Sequence, residues 1–210
     1  MDNNRIMGKV QLKSIIHPFG ADNMARAVGL FRRADSMGLL DTPVSELSAQ
    51  SLRTVAEQLS AHGLASAEAA RLRRSELSSS DIDAYLAAAT HALEESPVPK
   101  PELTKLNSML DGDLLATLLH IGSASLQRYQ KGERTTPDEV AARAHFLTNI
   151  VGRLEGTYND FGVRRWFQRP RSTLKGRSPA QILSNPWTPE SEAARQIQGL
   201  AESLEHLGAT

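Results

Sequence analysis

Apolar residues recur every three or four positions along most of the chain, and helix punctuation separates the runs. Leu52, Val55 and Leu59 share one helical face, and Ile82, Tyr85, Leu86, Ala89 and Leu93 share another. The first run begins near Ser48 and closes at Gly63; the second opens at Ser80-Asp81-Ile82-Asp83 and runs towards Glu95. Thr136-Pro137-Asp138-Glu139 reads as an N-cap, a proline at the first helical position and a capping-box glutamate. It opens a helix to Leu154 with Val140, Ala144, Leu147, Val151 and Leu154 on one stripe. Ser178-Pro179-Ala180-Gln181 repeats the device, and Thr188-Pro189-Glu190 starts a last helix, Pro189 to Leu207. That helix carries Ala193, Ile197, Leu200, Leu204 and Leu207 on one face. Only Lys9–Ile16 alternates as a strand does. The pattern predicts a mostly α protein.

Two breaks divide the helical runs. Ser96-Pro97-Val98-Pro99-Lys100-Pro101 stops helix propagation, because each proline lacks an N–H and pushes its predecessor out of helix. Ser184-Asn185-Pro186-Trp187 sets off the last helix. Composition then narrows the class. Of 210 residues, 40% are hydrophobic and 23% charged, as in a globular protein. No apolar run reaches the roughly 18 residues of a membrane span, and the opening residues show no signal-peptide core, so a cytoplasmic location is expected. Cysteine is absent, which excludes disulfides, thiolate metal sites and thiol nucleophiles.

Charge is balanced overall, 24 Lys and Arg against 24 Asp and Glu, but unevenly spread. Between Leu126 and Arg177 eleven basic residues face five acidic ones, an excess of six. Such asymmetry fits a polyanion or an acidic partner, or equally an Arg-rich solvated face.

The segment after the first break holds a short leucine-rich helix, Leu114 to Leu119, ending near His120. Gly122 permits a tight turn, Ser123 can cap a second helix from Ala124 to Gln130, and Leu126 and Tyr129 share its inner face. A helix, a short turn and a helix with a polar, basic outer face is the helix-turn-helix pattern. The candidate DNA contacts are Ser123, Ser125, Gln127, Arg128, Gln130, Lys131 and Arg134: amide for adenine, guanidinium for guanine, hydroxyl and ammonium for phosphate. A helical hairpin with a merely wet outer face has the same pattern.

The string from Leu119 through Leu126-Gln127-Arg128-Tyr129 to Pro137 resembles the Xre-type helix-turn-helix, in particular that of the Xre/MbcA/ParS antitoxin family. His120 stands where that family usually has Gly, and Gly122 where it usually has Ser. Arg164 to Leu183, containing Trp166, Leu174, Lys175-Gly176-Arg177 and Ser178-Pro179, resembles the same family's toxin-binding signature, with Lys175 in place of a common glycine. The resemblance spans residues roughly 102 to 205. With the Pro-rich break as boundary, three regions are expected: a helical region 1–96 of unassigned role, a helix-turn-helix domain 101–155 and a partner-binding domain 156–210. The resemblance implies a partner surface of Arg165, Trp166, Leu174, Gly176, Arg177, Pro179 and Leu183. It also implies a RES-domain toxin as partner; the helix-turn-helix pattern points to double-stranded DNA and, because a single such motif binds weakly, to a second copy of the chain. Without the resemblance, Trp166 reads as ordinary core, and the final helix either lies in a partner's groove or packs on its own domain.

No nucleophile elbow, Walker A loop, dinucleotide fingerprint or HExxH occurs, and His17, His62, His91, His120, His145 and His206 lie far apart. Neither an enzyme, a metal site nor a cofactor is expected. The competing functions are an antitoxin-type regulator, a stand-alone helix-turn-helix transcription factor, and a helical protein-interaction module.

Overall fold

Capping and burial divide the chain into helices much as the punctuation does. The structure, a computed structural model, describes residues 8–16, 18–73 and 77–207, with side chains described as far as residue 204. His17 and the side chains of His206 and Leu207 fall outside the described residues. The fold is mostly α, with eleven α-helices and two strands among the described residues. The chain forms two compact units, Met1–Ser96 and Pro97–Thr210, and the boundary in the chain falls in the Pro-rich segment.

In the first unit, β1 (Val10–Ile15) is the strand that the alternating residues predict. It pairs in parallel with β2 (Val44–Leu47), matching Val10 to Val44 and Ile15 to Leu47, and α1 (Ala21–Ser36) makes the crossover. Four residues are too short a run for β2 to show in the sequence pattern. The Asp35 carboxylate at the end of α1 accepts the Lys9 N–H at 2.6 Å, and the Lys9 ammonium donates to the Leu40 carbonyl. Helix α2 (Ala49–Ala61) starts at Ser48, whose hydroxyl and N–H exchange hydrogen bonds with Ser51, and ends before Gly63 at φ +80. Helix α3 (Ser66–Arg71) is a short connector. Helix α4 (Ser79–Glu95) is capped by Ser78, not by Ser80: its hydroxyl accepts the Asp81 N–H at 3.1 Å. Leu30, Phe31, Leu52, Leu59, Tyr85 and Leu86 are buried at 2% exposure or less.

The second unit begins with α5 (Pro99–Leu110), which starts inside the Pro-rich segment because prolines in a first turn give up N–H groups that have no helical partner anyway. Then follow α6 (Gly112–Leu119), α7 (Ser123–Lys131), α8 (Asp138–Glu155), α9 (Asp160–Gln168), a 3-10 turn at Ser172–Leu174, α10 (Pro179–Leu183) and α11 (Glu192–Leu207). Helix α8 is the axis. Its predicted stripe is buried, and Ala141, His145, Phe146, Thr148 and Ile150 are buried as well, so α5, α6, α9 and α11 all pack against it. One core runs from Leu103 to Ala201; the segments 101–155 and 156–210, expected from the sequence as separate domains, share it.

The predicted caps of α8 and α11 move. Pro137 itself is the N-cap of α8 with no side-chain hydrogen bond, so Thr136 does not cap. Thr188-Pro189-Glu190 forms a turn, and α11 starts at Glu192 with the Ser191 hydroxyl accepting the Ala194 N–H at 3.3 Å. The Ser178 capping box forms as expected, with Gln181 returning to the Ser178 N–H at 2.8 Å. Helix α11 packs on its own unit: Ala194, Ile197 and Ala201 are fully buried, while Ala193, Leu200 and Leu204 are half-buried. Trp187 anchors it, 2% exposed, edge-on to Phe146 at 5.3 Å, its indole N–H donating to the Leu118 carbonyl at 3.0 Å.

Candidate nucleic-acid interface

Three residues, His120, Ile121 and Gly122, join α6 to α7. The left-handed residue of this turn is His120, at φ 58 and ψ 42; Gly122, at φ −76, is the N-cap of α7. The sequence pattern assigns the turn's freedom to Gly122 and the cap to Ser123; Ser123 is instead the first helical residue and caps nothing. A histidine holds this conformation because the surroundings fix it. The Ile121 N–H returns to the Ala116 carbonyl at 3.1 Å, and His120 Nε2 lies 2.9 Å from the Leu183 carbonyl at the end of α10. Arg143 reaches the Leu119 carbonyl at 3.3 Å and the Trp187 carbonyl at 3.0 Å. The open carbonyls at the end of α6 are thus satisfied by side chains from α8 and the α10–α11 link, which makes the turn rigid.

Leu126 and Tyr129, 2% and 5% exposed, seat α7 on the core. Ser123, Gln127, Arg128 and Lys131 face solvent, and Ser125 is half-buried. Gln130 is not on that face: its amide donates inward to the Leu103 carbonyl of α5 at 3.0 Å. Gly132, at φ 74, ends the helix, and Arg134 returns over the Tyr129 ring, 5.8 Å from its centroid. Lys131 sits 3.9 Å from Glu133, both exposed. Lys100 joins this end of α7; its ammonium is 3.5 Å from where a Cβ on Gly132 would stand. Nothing local in the sequence marks Lys100, because it lies in the Pro-rich break. Lys100, Lys131 and Arg134 make one cationic end on a helix whose outer face offers the Gln127 amide and the Arg128 guanidinium.

Behind α5, Glu102 is fully buried, its Oε1 2.7 Å from His145 Nδ1 and its Oε2 without a hydrogen-bond partner. This pair joins α5 to α8 one residue from the carbonyl that holds Gln130.

The Arg164–Leu183 segment separates into core and surface. Trp166, Leu174, Pro179 and Leu183 are buried, and Arg165, Gly176 and Arg177 are exposed. Arg164 turns inward and donates to the Met109 carbonyl at 2.9 Å. Trp166 packs edge-on to Phe167 at 5.0 Å, and the Arg171 guanidinium stacks 5.1 Å above its ring. Burial lowers the Arg171 pKa from its ordinary value; nearby Tyr158 opposes the shift and Arg169 adds to it. The turn takes positive φ at both Lys175 and Gly176, 56 and 77, so Lys175 fills a left-handed position that usually favours glycine.

Among the described residues no group of three or more His, Asp or Glu gathers as metal ligands would, and no helix is long and apolar enough to cross a membrane. Compared with protein-family models, curated proteins and solved structures, the chain matches none of them.

Proposed function

We propose that this chain is a DNA-binding transcriptional regulator of antitoxin type, which lays α7 in the major groove of double-stranded DNA as a homodimer. In this reading it represses its own promoter and takes a RES-domain toxin as protein partner. One observation carries the DNA-binding part. A short helix seated by Leu126 and Tyr129 presents Gln127 and Arg128 to solvent, behind a turn held by His120 and Arg143, with a cationic end at Lys100, Lys131 and Arg134. Amide and guanidinium side chains read base edges, and the flanking cations meet phosphates. Gln130 has no part in this reading, since its amide is committed to α5.

The test is selection of a preferred duplex from a random-sequence pool, followed by Gln127→Ala and Arg128→Ala. Removing a side chain that bonds a base edge costs about 1–3 kcal/mol on the selected duplex. Unchanged affinity in both variants would sink the assignment of α7. Pairing follows from the weakness of a single helix-turn-helix, and sedimentation of the full chain as a monomer at micromolar concentration, with or without the duplex, contradicts it.

A stand-alone regulator, without a toxin, is the second reading. It is favoured by the burial of Trp166, Leu174, Pro179 and Leu183, four of the seven residues the resemblance gives to a partner, and by the packing of α11 on its own unit. Co-expression with a RES-domain toxin separates the two: rescue of growth supports the first, and no rescue the second.

A further inference from the structure

From Arg164 to Arg177 the chain carries six cations and no acid. Arg164 and Arg171 are turned into the unit, and Arg165, Arg169, Lys175 and Arg177 face solvent with no ion pair among the described residues. Of the segment's apolar side chains, Trp166, Phe167 and Leu174 are buried, and Pro170 is exposed. Apart from Pro170, the side chains left outside around the turn are cationic and polar: Arg169, Ser172, Thr173, Lys175 and Arg177. A protein–protein hot spot needs an apolar centre that excludes water. A surface for a phosphate backbone does not; it needs positive charge held in place.

We infer that the turn from Arg169 to Arg177 is a second DNA-binding surface, gripping the phosphate backbone beside the groove that α7 enters. This rests on the assignment of α7 to the major groove. The geometry links the two surfaces. His120 Nε2 ties the start of α7 to the Leu183 carbonyl, and α10 is only five residues long. At about 1.5 Å per residue in α10, plus two extended steps before it, Arg177 lies within about 13 Å of Leu183. The major groove is about 12 Å wide, so a helix in the groove with its N-terminal end inward leaves this turn at a groove wall. The turn is also preorganised. The Arg171 N–H donates to the Arg177 carbonyl at 3.0 Å, the Gly176 N–H to the Arg171 carbonyl at 2.9 Å, and the Arg171 guanidinium is clamped on Trp166. Binding therefore orders little backbone. A phosphate also relieves the repulsion between Arg169 and Arg171.

The experiment is fluorescence anisotropy of the full chain on a short mixed-sequence duplex and on the selected duplex, across about 50 to 200 mM salt. The variant is Arg169→Gln/Lys175→Asn/Arg177→Gln, with Asn chosen because it tolerates the left-handed position of Lys175. The expected result is weaker binding to both duplexes by the same factor, and a salt slope shallower by about 0.9 for each phosphate no longer neutralised. Preference for the selected duplex stays, whereas Gln127→Ala and Arg128→Ala reduce that preference and leave the slope nearly as it was. Phe161→Ala, at a 63% exposed position on the first turn of α9, serves as a control that leaves DNA binding alone. An unchanged slope and affinity in the triple variant overturns the inference while leaving α7 in place. Unchanged DNA binding together with failure to capture a RES-domain toxin overturns it too and gives the turn to an acidic protein. A wild-type chain that binds no duplex overturns both readings. Arg177→Gln alone decides the matter, by the same slope, if the triple variant does not reach the wild-type urea midpoint.

Discussion

Replacing His145 by Leu keeps most of the side-chain volume and removes the hydrogen-bond partner of the Glu102 carboxyl. Glu102 is 0% exposed, and its Oε2 already lacks a partner, so the substitution leaves a whole carboxyl group unpaired inside the core. Removing one member of such a buried pair costs about 3–5 kcal/mol. Against a total stability of about 5–15 kcal/mol, the second unit becomes marginal. At about 4 °C per kcal/mol for a unit of this size, the midpoint falls by about 12 °C or more. The double variant Glu102→Leu/His145→Leu removes the carboxyl together with its partner and is expected to be more stable than His145→Leu alone. The assay is urea unfolding followed by tryptophan fluorescence. The chain has two tryptophans, Trp166 and Trp187, and both lie in the second unit, so the signal reports that unit alone. A loss below about 1 kcal/mol for His145→Leu, or a double variant as weak as the two single losses added together, refutes the reasoning. Because Leu103, next to Glu102, holds the Gln130 amide, the single variant also loosens the seat of α7.

Tyr85→Phe acts in the first unit. The Tyr85 hydroxyl is buried with no hydrogen-bond partner, so its removal is expected to stabilise by about 1 kcal/mol, read by circular dichroism in urea. Burial raises the Tyr85 pKa above its ordinary 10.0, so the stability tied to the neutral phenol is whole below about pH 10 and falls as pH rises beyond it. The Phe variant lacks that part of the alkaline fall, and equal alkaline slopes in both proteins contradict the burial argument. Deleting residues 187–210 removes Trp187 and the buried face of α11, and is expected to unfold the second unit; Trp187→Ala alone costs about 3–5 kcal/mol. A truncated chain with the wild-type unfolding midpoint shows that α11 contributes nothing to the core.

Helix positions are legible in the sequence where burial is one-sided. The stripes around Leu52 and Ile82 have the right period because each of these helices shows one face to water. For central α8 a single stripe is too narrow: four helices pack on it, so His145 and Thr148 are buried where the stripe predicts exposure. Proline signals mislead in both directions. Pro137 and Pro189 precede their helices instead of beginning them, whereas Pro99 and Pro101 begin a helix in a segment with the composition of a linker. Local residue preference cannot choose between these outcomes, because a proline fits equally well just before a helix and in its first turn.

The candidate site is legible as a pattern and not as an orientation. Spacing puts Leu126 and Tyr129 inward, and that leaves Gln127 and Arg128 outside; it leaves Gln130 outside too. What draws Gln130 inward is a hydrogen bond to the carbonyl of Leu103, a residue 27 positions earlier in α5, which no window along α7 contains. The turn shows the same effect. A glycine is available at 122, yet the left-handed conformation falls on His120, because only there does the ring reach the Leu183 carbonyl 63 residues later. The Arg164–Leu183 segment repeats it at larger scale. As a string it joins aromatics and cations into one partner surface, but the helical period sends Trp166 and Phe167 into the core and leaves Arg165 and Arg169 outside. The aromatics stabilise the turn and the cations remain available to a partner. A motif that reads as one surface is therefore two layers, and only the outer layer can meet DNA or a protein.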